Sequence, residues 1–214
     1  MEHRTVSLAD QIFLELENNI LTGAYAIGEI FTETVISKQL GVSRTPIREA
    51  IRRLEQERLV DITTKGIVIK GISPKDISDM YEIRLRTEGL ASRWAANTIS
   101  EEGKKELSEI VELQEFYTSK KDVDNIKNMD SKFHEIVYKN CGSSVLEDML
   151  HQLHKKVTKY RKVSVSNNER AFQSAKEHRE ILNAILSGDG DLAEKLTIEH
   201  VKNAKTNIEK TVNE

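Results

Sequence analysis

The carboxyl-terminal half of the chain carries four side chains whose types and spacing could bind a metal ion. Asp130 and His134 are four residues apart, which places both on one face of a helix. His178 and His200 each lie eleven residues from Asp189 in the turn sequence GDG, so they would stand level on two antiparallel helices. One carboxylate and three imidazoles inside a helical bundle would suit a divalent transition metal.

A different pairing of the histidines remains open from spacing alone. His134 and His151 are nearly equidistant from Cys141-Gly142, which could also end a helix. A single histidine on a helix is more often a surface or core residue than a ligand, and the six histidines of the chain include His3 and His154. The spacing therefore indicates a candidate metal site but leaves its ligand set undecided.

A second set of residues, near the amino terminus, has the pattern of a DNA-reading helix. Arg44, Arg48 and Arg52 recur every four residues, so they would share one helix face. The opposite face would be apolar, formed by Ile47, Ala50, Ile51 and Leu54. The planar guanidinium group can bind guanine O6 and N7, or a phosphate, with two hydrogen bonds. A solvated face is the alternative interpretation, because amphipathic helices often carry arginines.

Residues at the amino end of a recognition helix reach deepest into the major groove. The candidates for base-edge contacts are Ser43, Arg44, Thr45 and Arg48. Arg52 and Arg53 lie further along the helix, so we expect them to face phosphates or solvent.

The elements around this row predict a winged helix-turn-helix. Apolar residues at four-residue intervals predict a first helix over 8–21, and a second is predicted over 34–40, ended by Gly41. The third helix would begin near Thr45-Pro46, with threonine as its cap. Two β-branched runs between Leu59 and Ile69 predict a hairpin with Lys65-Gly66 at its tip. Gly66 would let this wing turn tightly and approach the DNA backbone.

The charge distribution supports DNA binding although the net charge of the 214-residue chain is −3. The segment 38–70 holds eight basic and four acidic residues, and phosphate neutralisation depends on such local clustering. No apolar run is long enough to span a bilayer, and the first residues lack the pattern of a secretory signal. A single cysteine, Cys141, excludes an internal disulfide. We therefore expect a cytoplasmic location.

The remainder of the chain predicts helices and no strands. Gly71 and Pro74 mark a boundary, so the predicted domains are 1–71 and 76–214, joined by a linker at 72–75. Six helices are predicted, over 75–97, 101–119, 122–140, 144–163, 168–187 and 190–212, and the polar run 164–168 is the break before the fifth. The predicted fold class is mainly α, with a winged helix-turn-helix followed by an all-α six-helix bundle.

Two stretches resemble a known family. The run LGVSRTPIREAIRRLEQERLV, from Leu40 to Val60, is similar to the signature of the GntR family of bacterial regulators. The run YEIRLRTEGLASRWAA resembles the start of the FadR-type FCD ligand domain, and six helices resemble its VanR branch. The resemblance implies DNA contacts by Arg44, Thr45, Arg48, Lys65 and Gly66. It also shows a departure, because Thr34 stands where some members carry a further contact arginine.

The same resemblance bears on the metal and on an effector. The runs NMDSKFHEIVY, AKEHREIL and IEHVKNA match the metal-binding FCD pattern. The implied ligands are Asp130, His134, His178 and His200, with zinc, nickel or manganese as the metal and with His151 and His154 as non-ligands. The effector implied is a small organic acid. Arg84 matches an effector-pocket arginine, although an ion pair with Glu88, four residues on, is the alternative.

The sequence therefore predicts a homodimeric regulator that binds a pseudo-palindromic operator and responds to a small carboxylate. Repression relieved by the effector is the common mode in the family. A metal-dependent hydrolase or oxygenase with an appended DNA-binding domain is one alternative, but the paired Glu-x-x-His and the His-Glu-x-x-His motifs are missing. An empty dimerisation bundle with incidental histidines is the other. We expect no catalytic residues and no enzymatic activity.

Overall fold

The chain divides into two compact units, Met1–Ser73 and Pro74–Glu214. The computed structural model describes residues 7–164 and 168–212. His3 and residues 165–167 of the predicted break lie outside the described residues. Each unit has its own hydrophobic core, so the two are described separately.

From residue 7 onward, three helices form most of the first unit. They are α1 (Leu8–Leu21), α2 (Glu33–Leu40) and α3 (Arg44–Gln56). Helix α1 begins with a capping box, in which Ser7 and Asp10 exchange side-chain and backbone hydrogen bonds. The apolar faces of the helices meet in one core with the sheet described below, as their periodicity predicts.

The turn between α2 and α3 differs in one detail from the prediction. Gly41 ends α2 in the left-handed conformation, with φ 65°. Ser43, and not Thr45, is the N-cap of α3, because the backbone of Ser43 is extended and the helix already begins at Arg44. The predicted cap at Thr45 is therefore wrong. Pro46 still lies in the first turn, where its missing N–H removes no helical hydrogen bond.

The strands form a three-stranded antiparallel sheet of order β1-β3-β2. They are β1 (Ile30–Phe31), β2 (Val60–Thr63) and β3 (Gly66–Ile69). Strands β2 and β3 are the predicted hairpin, whereas β1 was not predicted. Its residue Ile30 pairs with Val68 of β3, so the wing is hydrogen-bonded to the segment that leads into α2.

Within residues 74–164 and 168–212, six helices form the second unit, in agreement with the predicted bundle. They are α4 (Pro74–Thr98), α5 (Glu101–Lys120), α6 (Val123–Lys139), α7 (Ser144–Ser164), α8 (Asn168–Leu186) and α9 (Gly190–Val212). None of the helices in the described part of the chain combines the length and apolar character needed to span a bilayer.

Helix α4 packs closely along α9 because Gly89 has no side chain. A Cβ atom at Gly89 would lie 2.8 Å from the Ile198 side chain and 3.2 Å from the Glu194 carbonyl oxygen of α9. This close packing lies beside the buried Arg84 and Glu88 on α4, which border the site described next.

Candidate metal centre and nucleic-acid interface

The second unit brings one carboxylate and three imidazoles together in its interior. Asp130 and His134 come from α6, His178 from α8 and His200 from α9. Their potential ligand atoms all lie within 4.8 Å of one another, and all four residues are buried. Nε2 of His134 is 3.3 Å from Nε2 of His200, and Nε2 of His178 is 3.8 Å from Oδ1 of Asp130.

The outer nitrogen of each imidazole faces an oxygen atom. Nδ1 of His178 is 2.8 Å from Oε1 of Gln114, and Nδ1 of His200 is 2.7 Å from Oε2 of Glu177. An oxygen at Nδ1 favours the tautomer that is protonated there, so the Nε2 lone pair points to the centre.

The other two potential ligands also have outer partners. Nδ1 of His134 lies 3.5 Å from Oε2 of Glu88, and Ser174 donates a 2.6 Å hydrogen bond to Asp130. All four inner side chains are therefore oriented by a polar group on another helix, an arrangement typical of metal sites in proteins.

Burial favours the neutral form of two central imidazoles, those of His134 and His178. Desolvation lowers the pKa of His134 and of His178 well below 6.5, and a neutral imidazole is the form that binds metals. Burial alone would raise the pKa of Glu177, but hydrogen bonds with His200 and Arg170 outweigh it and lower that pKa to about 2. The site thus combines the neutral imidazoles of His134 and His178 with an ionised Glu177 carboxylate beside His200.

One further observation indicates that the four residues fit a divalent transition metal. Nε2 of His178 is buried and has no hydrogen-bond partner among the described residues. An unsatisfied buried nitrogen is costly in a folded protein. A metal ion bound by His178 would remove that cost.

A buried ion pair adjoins this centre. Arg84 donates from Nε to Oε1 of Glu88 at 2.5 Å and from Nη2 to Oε2 at 3.2 Å, and both side chains are almost completely buried. The same Glu88 oxygen faces His134. Nη1 of Arg84 is buried without a hydrogen-bond partner in the described residues. The ion pair expected as the alternative role of Arg84 is therefore present, and one donor remains.

The remaining histidines of the bundle differ in their surroundings. His151 is exposed, so it does not pair with His134 as the open alternative suggested. His154 is buried, with its ring centroid 5.1 Å from that of His134, and Glu88, His134 and His154 form a second group within 4.8 Å. The exclusion of His154 as a ligand stays a prediction.

In the first unit, α3 has one packed face and one exposed face. The buried residues are Ile47, Ala50, Ile51 and Leu54. The exposed residues at its amino end are Ser43, Arg44, Thr45 and Arg48. Ser43 makes no side-chain capping hydrogen bond. The candidate base-reading side chains therefore lie together on an accessible surface.

The α3 arginines are not equivalent. Arg53 donates to Asp10 of α1 at 2.5 Å, and its guanidinium lies 4.1 Å from the Phe13 ring centroid. Arg53 therefore contacts α1, although its side chain is still 38% exposed, so the expectation that it faces phosphates or solvent stays a prediction. Arg52 is exposed, as expected. Arg48 contacts Glu33 of α2, a contact that arginine spacing alone did not predict.

The wing presents an exposed Lys65 beside a glycine with a packing role. Gly66 is the first residue of β3, with φ 131°, and a Cβ atom there would lie 2.5 Å from the Phe31 carbonyl oxygen. Glycine is thus required by the pairing of β1 with β3, in addition to the turn. The Thr63 hydroxyl accepts from the Lys65 amide and donates to the Gly66 carbonyl, which stabilises the tip.

Comparison with known proteins assigns both units. The model of the bacterial regulatory proteins, gntR family, matches residues 8–68, and the FCD domain model matches residues 79–203. The chain belongs to the GntR family. It is a DNA-binding transcriptional regulator in which an FCD domain follows the GntR winged helix-turn-helix.

Relatives of this GntR regulator include several bacterial proteins. This chain is 28% identical over 193 residues to the uncharacterized HTH-type transcriptional regulator YdhC of Bacillus subtilis (strain 168), and the match covers 89% of this chain and 86% of that protein. It is 29% identical over 136 residues to the gluconate operon transcriptional repressor of Bacillus licheniformis, covering 64% of this chain but 56% of that protein. Identity to the transcriptional repressor RspR of Escherichia coli is 24% over 205 residues, 95% of this chain and 90% of RspR.

Solved structures agree with the fold. Escherichia coli McbR/YncC has a TM-score of 0.70 at 20% identity, covering 96% of this chain and 99% of McbR/YncC. Lar, described as controlling the agr system of Listeria monocytogenes, has a TM-score of 0.76 at 17% identity, with 97% and 99% covered. These similarities establish the architecture of the regulator.

The outer residues of the candidate metal centre were not identified from the sequence. Gln114 lies on α5, far along the chain from the histidines, whereas Ser174 lies four residues before His178 on α8, a one-face spacing that could have indicated it. Glu177 is adjacent to His178 in the sequence yet contacts His200. In this regulator Gln114 and Glu177 are found only through the packing of the helices.

Proposed function

We propose that this regulator is a repressor that binds a pseudo-palindromic operator as a homodimer, and that a small carboxylate bound at a metal-centred site in its FCD domain changes its affinity for DNA. The buried group of Asp130, His134, His178 and His200 carries the second half of this proposal. A regulator of this kind would act in the cytoplasm.

The exposed amino end of α3 supports the proposed DNA binding. We assign base-edge contacts to Ser43, Arg44, Thr45 and Arg48, and backbone contacts to Lys65 and Gly66 at the wing tip. The apolar face of α3 is fully packed, so its opposite face is free to enter a groove. One short helix reads few base pairs, and a two-fold pair of such helices reads a palindrome.

The Arg48→Ala protein is expected to lose sequence discrimination. A bidentate arginine–guanine pair contributes about 1–3 kcal/mol of discrimination, roughly 5- to 150-fold. The measurement is the dissociation constant for a shuffled duplex divided by that for a duplex selected from a random pool by the wild-type protein. Arg52→Ala is the matched control, because loss of a phosphate contact weakens binding to both duplexes equally. An unchanged ratio in Arg48→Ala would refute the assigned readout.

The metal half of the proposal rests on the chemistry of the donor set. Zinc, nickel or manganese would be held by Nε2 of His134, His178 and His200 and by the Asp130 carboxylate. Such an ion, when bound, supplies open coordination positions at which a carboxylate can bind. The chain itself contributes orientation through Gln114 and the other outer oxygens, and it excludes water by burying the site.

Arg84 supports a carboxylate as the effector. Its Nη1 is a buried donor with no hydrogen-bond partner in the described residues, and an arginine donor is well suited to a carboxylate oxygen. Glu88 occupies Nε and Nη2 and also faces His134. A ligand bound by Arg84 would therefore lie close to a group that contacts a potential metal ligand.

A thermal-shift screen of small mono- and dicarboxylates against zinc-loaded protein is expected to find a stabilising compound, since a ligand of the folded state raises its apparent stability. The same compound should change operator affinity by about 5- to 150-fold, the usual range of allosteric coupling. The His178→Ala protein, treated identically, should respond to neither assay. A compound that acts equally on His178→Ala would bind elsewhere and would contradict the proposed site.

A further inference from the structure

The carboxylate of Glu33 holds the guanidinium group of Arg48. Glu33 is the first residue of α2, and both of its oxygens accept from Nε of Arg48, at 2.7 and 2.9 Å. The Glu33 side chain is 30% exposed and that of Arg48 57% exposed, so the pair lies at the surface of the DNA-binding unit. An exposed ion pair of this kind adds little to stability. Stability therefore does not explain why the pair lies on the reading face, the exposed surface at the amino end of α3.

The contact uses one edge of the guanidinium and leaves the other. In the described contacts of Arg48, only Nε is engaged. The remaining N–H donors are on Nη1 and Nη2, and these two nitrogens can donate in parallel to guanine O6 and N7. Glu33 therefore restricts the rotation of the guanidinium group without using the donors that a contact with guanine would need.

The charge of Glu33 also affects which partner Arg48 selects. The hydrogen bond with Arg48 lowers the pKa of the Glu33 carboxyl below its usual value, and the positive charge of Arg44 contributes. The carboxylate is thus ionised between two arginines of the reading face. A phosphate bears a full negative charge and is repelled by it, whereas the edge of a guanine bears only partial charges.

We propose that Glu33 is a specificity-determining residue of the DNA-binding unit: it orients Arg48 toward base edges and disfavours its use as a phosphate contact. This inference rests on the base-reading role of Arg48 proposed above. Glu33 acts through Arg48 and is a positioning residue. Its effect is to lower the affinity for arbitrary DNA more than the affinity for the operator.

The test is the Glu33→Gln protein, full-length, assayed with the selected and shuffled duplexes. Glutamine keeps an acceptor and the side-chain length but removes the charge. Affinity for the shuffled duplex should rise, and the ratio of the two dissociation constants should fall by at least about fivefold, the lower limit for one bidentate pair. The salt dependence of shuffled-duplex binding should steepen by about 0.9 in log–log slope, because Arg48 becomes available to one more phosphate.

Asp10→Asn is the matched control. Asp10 pairs with Arg53 of the same helix, so this change removes one negative charge next to an α3 arginine that does not belong to the proposed reading residues. Asparagine keeps an oxygen for the Ser7 hydrogen bonds. Its ratio of dissociation constants should equal that of the wild type.

A double substitution separates positioning from a general change in charge. In the Arg48→Ala background, Glu33→Gln should strengthen binding to both duplexes by the same factor and leave their ratio unchanged. A further fall of the ratio in that background would overturn the inference, as would an unchanged ratio in Glu33→Gln alone. If Arg48→Ala itself keeps full discrimination, the proposed readout fails. If only Glu33→Gln has no effect, the readout stands and the positioning role is refuted.

Discussion

Replacing His178 with alanine is expected to reduce bound metal from about one equivalent per chain to less than about a tenth, since a site that loses one of its few protein ligands loses most of its affinity. The measurement is elemental analysis of purified protein after exposure to zinc, nickel and manganese and removal of free metal. His178 is central to the group, because among the four candidate ligands it is the one whose Nε2 is buried with no hydrogen-bond partner in the described residues.

Two further variants make the result interpretable. The His178 ring stacks on Phe133 with a centroid distance of 3.9 Å, so His178→Ala also leaves a cavity. His200→Ala removes a different proposed ligand, and it should lose metal as well. His151→Ala removes an exposed histidine of α7 and should keep the full equivalent. Circular dichroism should report a helical fold in all three, and metal retained by both ligand variants would contradict the site.

Removing Glu88 is expected to lower the free energy of unfolding by about 3–5 kcal/mol, because it leaves the Arg84 charge uncompensated in the core. Burial alone would lower the pKa of Arg84, but the ion pair with Glu88 outweighs it and raises that pKa above its usual value. The guanidinium therefore stays charged in the folded protein. Urea unfolding of metal-free Glu88→Ala measures the loss.

The exposed pair Lys75–Asp79 has the same spacing of four residues on the same helix and is the control. Asp79→Ala should change stability little, because water already solvates both groups. The double variant Arg84→Met with Glu88→Leu should recover most of the stability lost in Glu88→Ala. A Glu88→Ala protein as stable as Asp79→Ala would show that the pair is not buried as described.

Much of the fold could be predicted because the regular spacing of apolar residues indicates where helices lie. The bundle helices begin and end within two residues of the predicted bounds, where glycine and polar residues interrupt the apolar pattern. Strand β1 could not be predicted in this way. A strand of two residues, Ile30 and Phe31, is too short to show an alternation of apolar and polar side chains. It is recognised as a strand only because it pairs with β3.

In the candidate metal site, the potential ligands could be predicted from the sequence, whereas most of the residues that orient them could not. Spacing and resemblance pointed to Asp130, His134, His178 and His200, because positions on one helix face, or equidistant from a turn, can be counted along the chain. The oxygens that orient them depend on which helices become neighbours. Gln114 is 64 residues from His178, and no local pattern encodes such a contact.

The backbone at Gly66 has a practical consequence for genetics. A side chain at this position would collide with the Phe31 carbonyl oxygen and separate β1 from the hairpin. Genetic screens for loss of DNA binding would recover alleles at residue 66 readily, and growth at low temperature should rescue some of them. Alleles at Lys65, one residue earlier and exposed, would be indifferent to temperature. Adjacent codons of the wing would thus report two different defects, one in folding at Gly66 and one in the DNA contact proposed for Lys65.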